Sequence, residues 1–518
     1  MNGNGGSQDE VFGFLADPRT HGLSVPVARI DTANAVVFLA GADAYKVKRA
    51  VKYPFMDLSM LEKRREACRA EVEVNRANAP KIYREALPIV RDGRRLKLGG
   101  EGEIVEWVAH LSRFDENATL DRIAERVGIS DAIVDKLAVA VRRSHARAPL
   151  RDAQAAAASL ETYIEQNAVA FAQWPDLFPA AQAARLTQES RLAFAIARPV
   201  LLSRGGMGLV RRCHGDLHLR NIVLVDGEPT LFDAVEFSDE IATGDVLYDL
   251  AFLLMDLEER ALRAAANRLF NRYMAPAPPA EIDGLAALPL FMSLRAAIRA
   301  KVEAAGADRL EGEAREKARA LARRYFDLAA GLLRYRPPRL IAIGGLSGVG
   351  KSALAGAVAP KLGRAPGALW LRSDVERKAM FKAEELERLP ASAYSEDTSR
   401  EVYRRIEDKA RRALIAGHTV VLDATFACSR ERRLAAAVAA EAGVAFRGLF
   451  LEAPFEARLS RVSLRRGDPS DADVAVATRQ SADPIREAGW APLDAGGDAE
   501  QTAALALASF ASVQPPEP

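Results

Sequence analysis

Cysteine is scarce in this chain. Three occur in 518 residues, Cys68, Cys213 and Cys428, far apart and without a CxxC pair. So odd and sparse a count argues against a disulfide framework or a cysteine zinc site, and it predicts a reducing compartment. An excess of one charge is missing as well: 72 Lys and Arg stand against 70 Asp and Glu, a formal net charge of +2. That balance removes the electrostatic argument for a nucleic-acid or membrane partner, though not for a local basic groove. Long uncharged apolar runs are absent. The segment 246–257 comes nearest to a membrane span, and Asp249 and Asp256 interrupt it. The opening stretch from Met1 to Glu10 is rich in Gly and Asn and has no apolar core of the secretory kind, so the expected location is cytoplasmic.

What is present fits soluble globular domains, with 49% hydrophobic and 27% charged residues. The length exceeds one ordinary core, so two or three domains are expected. Residues 1–8 read as disordered. Strand-like text follows at 36–40 and 45–47 around Gly41-Ala42-Asp43, then a charged helix over 61–76 that stops before Pro80. Asp92-Gly93 between the apolar runs 88–90 and 96–98 predicts a hairpin, and a strand over 103–108 completes a small antiparallel lobe. Ser130 is an N-cap candidate for a helix that Pro149 ends, and the text stays mainly helical to about Tyr335. A second hairpin, 222–225 and 230–232 around Asp226-Gly227, interrupts it. Arg336-Pro337-Pro338-Arg339 is the linker candidate. Beyond it, short apolar strands at 340–343, 368–371, 419–422 and 446–451 alternate with helices, the pattern of an α/β domain with a parallel sheet. The expected chain is multidomain, 1–335 and 339–518, with two different architectures and no internal repeat.

The first chemical motif runs from His214 to Asn221, His-Gly-Asp-Leu-His-Leu-Arg-Asn, an H-x-D-x-x-x-x-N with the spacing of a protein-kinase catalytic loop. That spacing lets Asp216 accept the proton of an attacking hydroxyl while Asn221, across the loop, offers a hard oxygen to magnesium. The hairpin then leads to Leu231-Phe232-Asp233, where Asp233 would bridge magnesium to the nucleotide phosphates. Loop, hairpin and second Asp together, downstream of a small β-lobe, make an accidental run of turn-forming residues a poor explanation.

Residues 10–330 resemble the aminoglycoside phosphotransferase family. The resemblance is carried by H-G-D-L-H-x-x-N, by F-D, and by Gly244-Asp245-Val246-Leu247-Tyr248-Asp249-Leu250-Ala251. It implies a protein-kinase-like, bilobal α+β fold with Asp216 as catalytic base, Asn221 and Asp233 as magnesium ligands, and Asp245 and Asp249 as scaffold. It also implies a small-lobe Lys on the phosphates and a helix Glu that orients it. Lys46 and Lys48 share a strand face by the period of two, so the sequence leaves both open, with Lys46 favoured. Glu71 is favoured over Glu66 as the partner. Residues 106–109 would form the hinge that lines adenine through backbone groups. His145 matches a helix position common in the family and is read as packing or hydrogen bonding. One departure from the protein-kinase pattern stands out: Thr32-Ala33-Asn34-Ala35 replaces a G-x-G-x-x-G loop, so phosphate cover depends less on glycine.

The second motif, Gly345-Leu346-Ser347-Gly348-Val349-Gly350-Lys351-Ser352, is G-x-x-x-x-G-K-S between an apolar strand and a helix, the context it needs. Its glycines let backbone N–H groups wrap phosphates at a helix N-terminus; Lys351 would neutralise β/γ-phosphate charge, and the Ser352 hydroxyl would bind magnesium. Asp374 and Arg377 form D-x-x-R at the carboxyl edge of the second strand, and Asp423 ends the third as a Walker B-type carboxylate. Arg458, Arg461, Arg465 and Arg466 precede Gly467-Asp468-Pro469; Arg461 and Arg465 share a helix face and would close as a lid over the transferred phosphoryl group. Residues 339–510 resemble the small P-loop kinases of the gluconate kinase, zeta-toxin and polynucleotide kinase types. That resemblance implies Asp374 as base toward an acceptor hydroxyl and Arg377 as the holder of an acceptor anion.

The expectation is an ATP- and magnesium-dependent phosphotransferase with two nucleotide sites, acting on hydroxyls of small, aminoglycoside- or sugar-like molecules. Two other readings remain. One domain acts as a nucleotide-sensing switch for the other, which the fusion motivates. Or the P-loop domain is a nucleic-acid 5′-end kinase, which D-x-x-R motivates and the balanced charge weakens.

Overall fold

The strand Ala35–Ala40 is apolar throughout and buried at five of its six positions, so its sheet needs cover on both faces. In the computed structural model, which describes residues 5–53, 56–464 and 467–511, both covers are helices. Val11, Phe12 and Leu15 of the helix Gly5–Ala16 pack with Val36, Phe38, Val47 and Val108 on one face. Val72 of the helix Leu61–Arg76 packs with Leu39, Ala44, Ala109 and Leu111 on the other. The sheet has six antiparallel strands in the order Ala28–Asp31, Ala35–Ala40, Asp43–Lys48, Glu103–Ser112, Tyr83–Asp92 and Arg95–Leu98. The expected disorder of residues 1–8 does not hold at its C-terminal end. The helix begins at Gly5, and the Gln8 side chain donates to Lys48 O and accepts from Ala50 N, each at 2.9 Å.

The chain divides into two units, residues 1–159 with 208–253 and residues 160–207 with 254–518. The first also holds the helix Asp131–Arg147, capped by Ser130 through Ile133 N, and the hairpin Ile222–Val225 with Glu228–Leu231. Asp226 and Gly227 take φ of +54° and +75°, the left-handed pair that a two-residue hairpin turn needs.

The second unit is built on a five-stranded, wholly parallel sheet in the order Leu369–Arg372, Val420–Asp423, Arg339–Gly344, Ala445–Glu452, Trp490–Asp494. The first strand in sequence lies in the middle, so the connections leave it in both directions and open a crevice at its carboxyl end. Ile341, Ile343, Leu449 and Leu451 form the core with Leu354 and Val358 of the P-loop helix and with Ala506 and Phe510. The fifth strand, Trp-Ala-Pro-Leu-Asp, went unforeseen because Pro492 and its mixed polarity do not read as a strand; it stands at the edge, where proline is tolerated.

Leu369–Arg372 is the opposite edge, and an edge strand leaves backbone groups unpaired. Here the helix Arg263–Met274 supplies them. Asn271 Oδ1 accepts from Trp370 N at 2.7 Å, and the amides of Asn271 and Asn267 donate to Ala368 O at 3.1 and 3.0 Å. Gly367 permits this approach: it has φ +109°, and a Cβ there would stand 2.6 Å from Asn267 Nδ2. Residues 254–335 therefore pack with the P-loop sheet, and the division by packing falls elsewhere than the change of sequence pattern at Arg336. Among the described residues no helix is long and apolar enough to cross a membrane.

Asn271→Ala strips the N–H of half-buried Trp370 of its partner, and the expected loss is about 1 kcal/mol. Asn267→Ala leaves Ala368 O with Asn271 and should cost less. Urea denaturation of the two variants side by side checks the ranking.

Candidate active sites

In the first unit two lysines share one carboxylate. Lys46 and Lys48 project from the same face of the strand Asp43–Lys48, and the helix Leu61–Arg76 brings Glu71 between them. Glu71 Oε1 lies 2.7 Å from Lys46 Nζ and Oε2 lies 2.6 Å from Lys48 Nζ. Each lysine has a second partner, Asp233 at 2.7 Å for Lys46 and Glu236 at 2.5 Å for Lys48. Glu66 is exposed and takes no part. Burial alone would pull the Lys46 ammonium down, but Asp233 and Glu71 outweigh it and hold it well above its ordinary value. Burial would likewise raise the Glu71 carboxyl, but Lys46 and Lys48 together hold it at about 2. Lys48 is 1% exposed and enclosed; Lys46 is the lysine that reaches Asp233.

Asp233 takes φ +59°, a left-handed conformation that costs about 1–3 kcal/mol for a residue with a side chain. Its surroundings hold it there. Its N–H donates to Tyr83 OH at 3.0 Å, and the next N–H, of Ala234, donates to Asn75 Oδ1 at 2.7 Å. Asn75 lies one turn beyond Glu71, so one helix fixes both the ion pair and the backbone beside Asp233.

The catalytic-loop residues also converge. Asn221 Nδ2 donates to Asp216 O at 3.0 Å and Asp216 Oδ2 at 2.9 Å, and His218 Nε2 lies 3.3 Å from the same carboxylate. Asp216 keeps substantial solvent access. His214 is interior, with Nε2 2.9 Å from Phe232 O, and burial holds its pKa below the ordinary value. Asp249 accepts from Gly215 N at 2.8 Å, His214 N at 3.3 Å and His145 at 3.1 Å, so it fixes the loop backbone, and His145 hydrogen-bonds rather than reacts. Asp245 accepts from Leu247 N at 2.8 Å.

The hinge expected at 106–109 is not there. Val108 and Ala109 are paired on both sides, with Val47 and Lys46 and with Leu87 and Ala86, so their backbone groups lie inside ladders. The strand runs on to Ser112. Glu106 is a buried acceptor that takes both 2.9 Å bonds of Arg64 Nε and one from Gln8.

In the second unit the loop from Gly345 to Ser352 joins the central strand to the helix Lys351–Val358. Gly348 has φ +84°, and a Cβ there would stand 2.3 Å from Arg458 O. The loop is braced from outside. Arg458 donates to Ser347 O at 3.1 Å, Gln480 accepts from Ser347 N at 2.8 Å, and Arg461 donates to Val349 O at 3.3 Å and Ala495 O at 3.0 Å. Arg461, expected in a lid, thus ties down the P-loop in this structure; Arg465 and Arg466 lie outside the described residues.

Lys351 Nζ sits 3.3 Å from Leu346 O, and Ser352 Oγ donates to Asp423 Oδ2 at 2.7 Å. Asp423 is buried; burial raises its pKa against the pull of Arg372 and Lys351. These groups line a cleft of about 840 Å³ together with Asp374, Arg377 and Tyr394. Asp374 is half-buried there and has no protein hydrogen-bond partner among the described residues. Arg377 donates to Ala393 O at 2.6 Å and lies 4.8 Å over the Tyr394 ring, while its Nε has no partner.

Residues 65–288 match the phosphotransferase enzyme family, and residues 340–483 match the AAA domain. The first match holds the catalytic loop and the second holds the P-loop. Uncharacterized proteins of Mycobacterium tuberculosis and Mycobacterium bovis are each 28% identical over 471 residues, 89% of this chain and 90% of theirs. Three solved structures are similar in part. A choline/ethanolamine kinase family protein from Mesorhizobium loti is 17% identical over 63% of this chain and 99% of its own, with a TM-score of 0.37. An aminoglycoside phosphotransferase from Alicyclobacillus acidocaldarius is 16% identical over 59% and 91%, with a TM-score of 0.33. A gluconokinase from Sinorhizobium meliloti is 20% identical over 34% and 94%, with a TM-score of 0.26. By its two domains the chain is an ATP-dependent phosphotransferase.

Sequence reasoning missed Tyr83, Asn75 and Glu236 in the first unit and Trp370, Arg372 and Asp471 in the second. Trp370 and Arg372 were within reach, since alternation puts both on one face of a strand ending beside Asp374. Asp471, which accepts from Lys378 at 2.8 Å, Leu389 N at 3.0 Å and Tyr394 OH at 2.5 Å, left no local signal.

A carboxyl held at about 2, against about 4.3 for a free Glu, contributes stability that is present above about pH 4 and is lost as pH falls toward 2. Glu71→Gln should therefore narrow its stability gap from wild type as pH drops through that window. Urea unfolding at pH 7, 4 and 3 measures the gap.

Proposed function

We propose that each domain carries one centre that transfers the γ-phosphoryl group of ATP to a hydroxyl of a small molecule. The observation that supports this most is the pairing, in both units, of an accessible carboxylate with groups suited to magnesium or to phosphates. Asp216 stands beside Asn221, and Asp374 lines the same cleft as Lys351 and Ser352. Each centre offers hard oxygens of the kind that fits magnesium: the Asn221 amide and Asp233 in one, with Phe232 N between them bonded to Asn221 O at 3.0 Å, and Ser352 and Asp423 in the other. Magnesium would supply charge neutralisation to the phosphates.

The chain's own residues do the rest. In the first centre Lys46 takes the phosphate charge, Glu71 fixes Lys46, and Lys48 braces Glu71 from behind. The acceptor oxygen attacks the γ-phosphorus, the bond to the ADP oxygen breaks, and the acceptor proton passes to Asp216. In the second centre backbone N–H groups of the P-loop and Lys351 hold the phosphates, Asp374 receives the proton, and Arg377 orients the acceptor. A cleft of about 840 Å³ suits a small polar alcohol.

One observation favours the switch reading as a second role. Asn271 lies within the span that matches the phosphotransferase family and bonds Trp370 N, and Trp370 Nε1 donates to Asp423 at 3.2 Å. A short chain of hydrogen bonds thus links that span to the Walker B-type carboxylate.

Mass spectrometry of reactions with ATP, magnesium, an aminoglycoside panel and a metabolite extract tests the main proposal. Asp216→Ala should remove one phosphorylated product, and Lys351→Ala a different one, each falling at least 10²-fold. ATP consumption without any phosphorylated acceptor would overturn the two-centre reading. For the switch, Lys351→Ala should alter turnover of the first centre's product; unchanged turnover counts against it.

A further inference from the structure

Arg372 sets a positive charge against the magnesium-suited oxygens of the P-loop centre. Its Nη2 lies 3.1 Å from Ser352 Oγ and 3.0 Å from Asp468 Oδ2, and its Nε lies 3.5 Å from Asp423 Oδ2. The guanidinium also sits 5.1 Å over the ring of Trp370, whose indole N–H donates to Asp423. It therefore lies among the oxygens that a divalent cation at this P-loop would use.

A guanidinium cannot be neutralised by losing a proton, so a second cation enters this space only if Arg372 gives up Ser352. Two consequences follow from elementary electrostatics. A bare divalent cation meets two carboxylates, Asp423 and Asp468, that already have Arg372 beside them. A nucleotide changes the balance, because its phosphates bring new oxyanions to both the metal and the displaced guanidinium. Arg372 keeps an anchor while it moves, since Asp468 lies outside the P-loop.

We infer that Arg372 is a positioning residue that makes divalent-cation binding at the P-loop conditional on nucleotide, so that the metal enters with the phosphates and not before them. This rests on the reading of the second domain as a metal–nucleotide centre.

Trp370 is a local reporter. Magnesium is titrated into the full chain with and without ADP, and the Trp370 signal is taken as the emission difference from a Trp370→Phe counterpart, which retains the other three tryptophans. Wild type should respond to magnesium only when ADP is present. Arg372→Met should respond to magnesium alone, with an apparent affinity at least tenfold above wild type, and should bind magnesium–ADP more weakly. Arg372→Gln, which keeps hydrogen-bonding capacity without charge, should behave like Arg372→Met and serves if the latter fails to fold. Arg372→Lys should keep the wild-type dependence on ADP. Equal responses of wild type and the neutral variants to magnesium alone overturn the inference while leaving the nucleotide centre standing. No response of wild type to magnesium with ADP overturns the nucleotide centre itself, and the inference with it.

Discussion

A buried charge must be paired, and in the first unit everything near the catalytic loop is arranged around one such pairing. Glu71 is wholly buried and divides its two oxygens between two lysines. Removing it would leave two ammonium groups short of a partner in a region where Lys48 has almost no water, and breaking a buried pair this way typically costs about 3–5 kcal/mol. The same helix carries Asn75, which holds the backbone after Asp233. The strained φ of Asp233, the reach of Lys46 and the seat of the helix against the sheet are therefore one problem with one solution. A change at any of the three disturbs the others.

The second unit meets the same demand with different means. The loop there turns on glycines at positive φ, where a side chain would be strained, and the carboxylate that anchors the serine is raised by burial rather than lowered by lysines. The first centre depends on long side chains locked by ion pairs. The second depends on a loop locked from outside by Arg458, Gln480 and Arg461.

Much of this was legible in the sequence, for a physical reason: motifs whose chemistry depends on local spacing survive as local text. The P-loop between strand and helix, the H-x-D-x-x-x-x-N loop, both hairpins and the helix 61–76 are all local. The choice between Lys46 and Lys48 was not legible, since a period of two puts both on one face and only the distant Asp233 and Glu236 distinguish them. Gln8 was misread because a Gly/Asn-rich stretch usually lacks partners, and its partners, Lys48 O and Ala50 N, lie across the sheet. The hinge failed for a related reason: the strand was judged to end at residue 108, and the ladder continues to Ser112. The place of Arg372 was not legible because its partners, Ser352 and Asp468, are distant in sequence.

The edge of the parallel sheet shows why a sequence boundary and a physical one part company. A P-loop domain cut at Arg336 would keep its motifs, but it would lose Asn267 and Asn271 from the strand Leu369–Arg372. That strand ends in Arg372 and feeds directly into Ser373 and Asp374, the residues that face the cleft. Its backbone N–H at Trp370 would need water or another chain, and an unpaired parallel edge invites both fraying and association. The positions of the cleft residues are thus set partly by a helix that lies, by sequence, within the phosphotransferase match. Two domains joined in this way share structure as well as a chain.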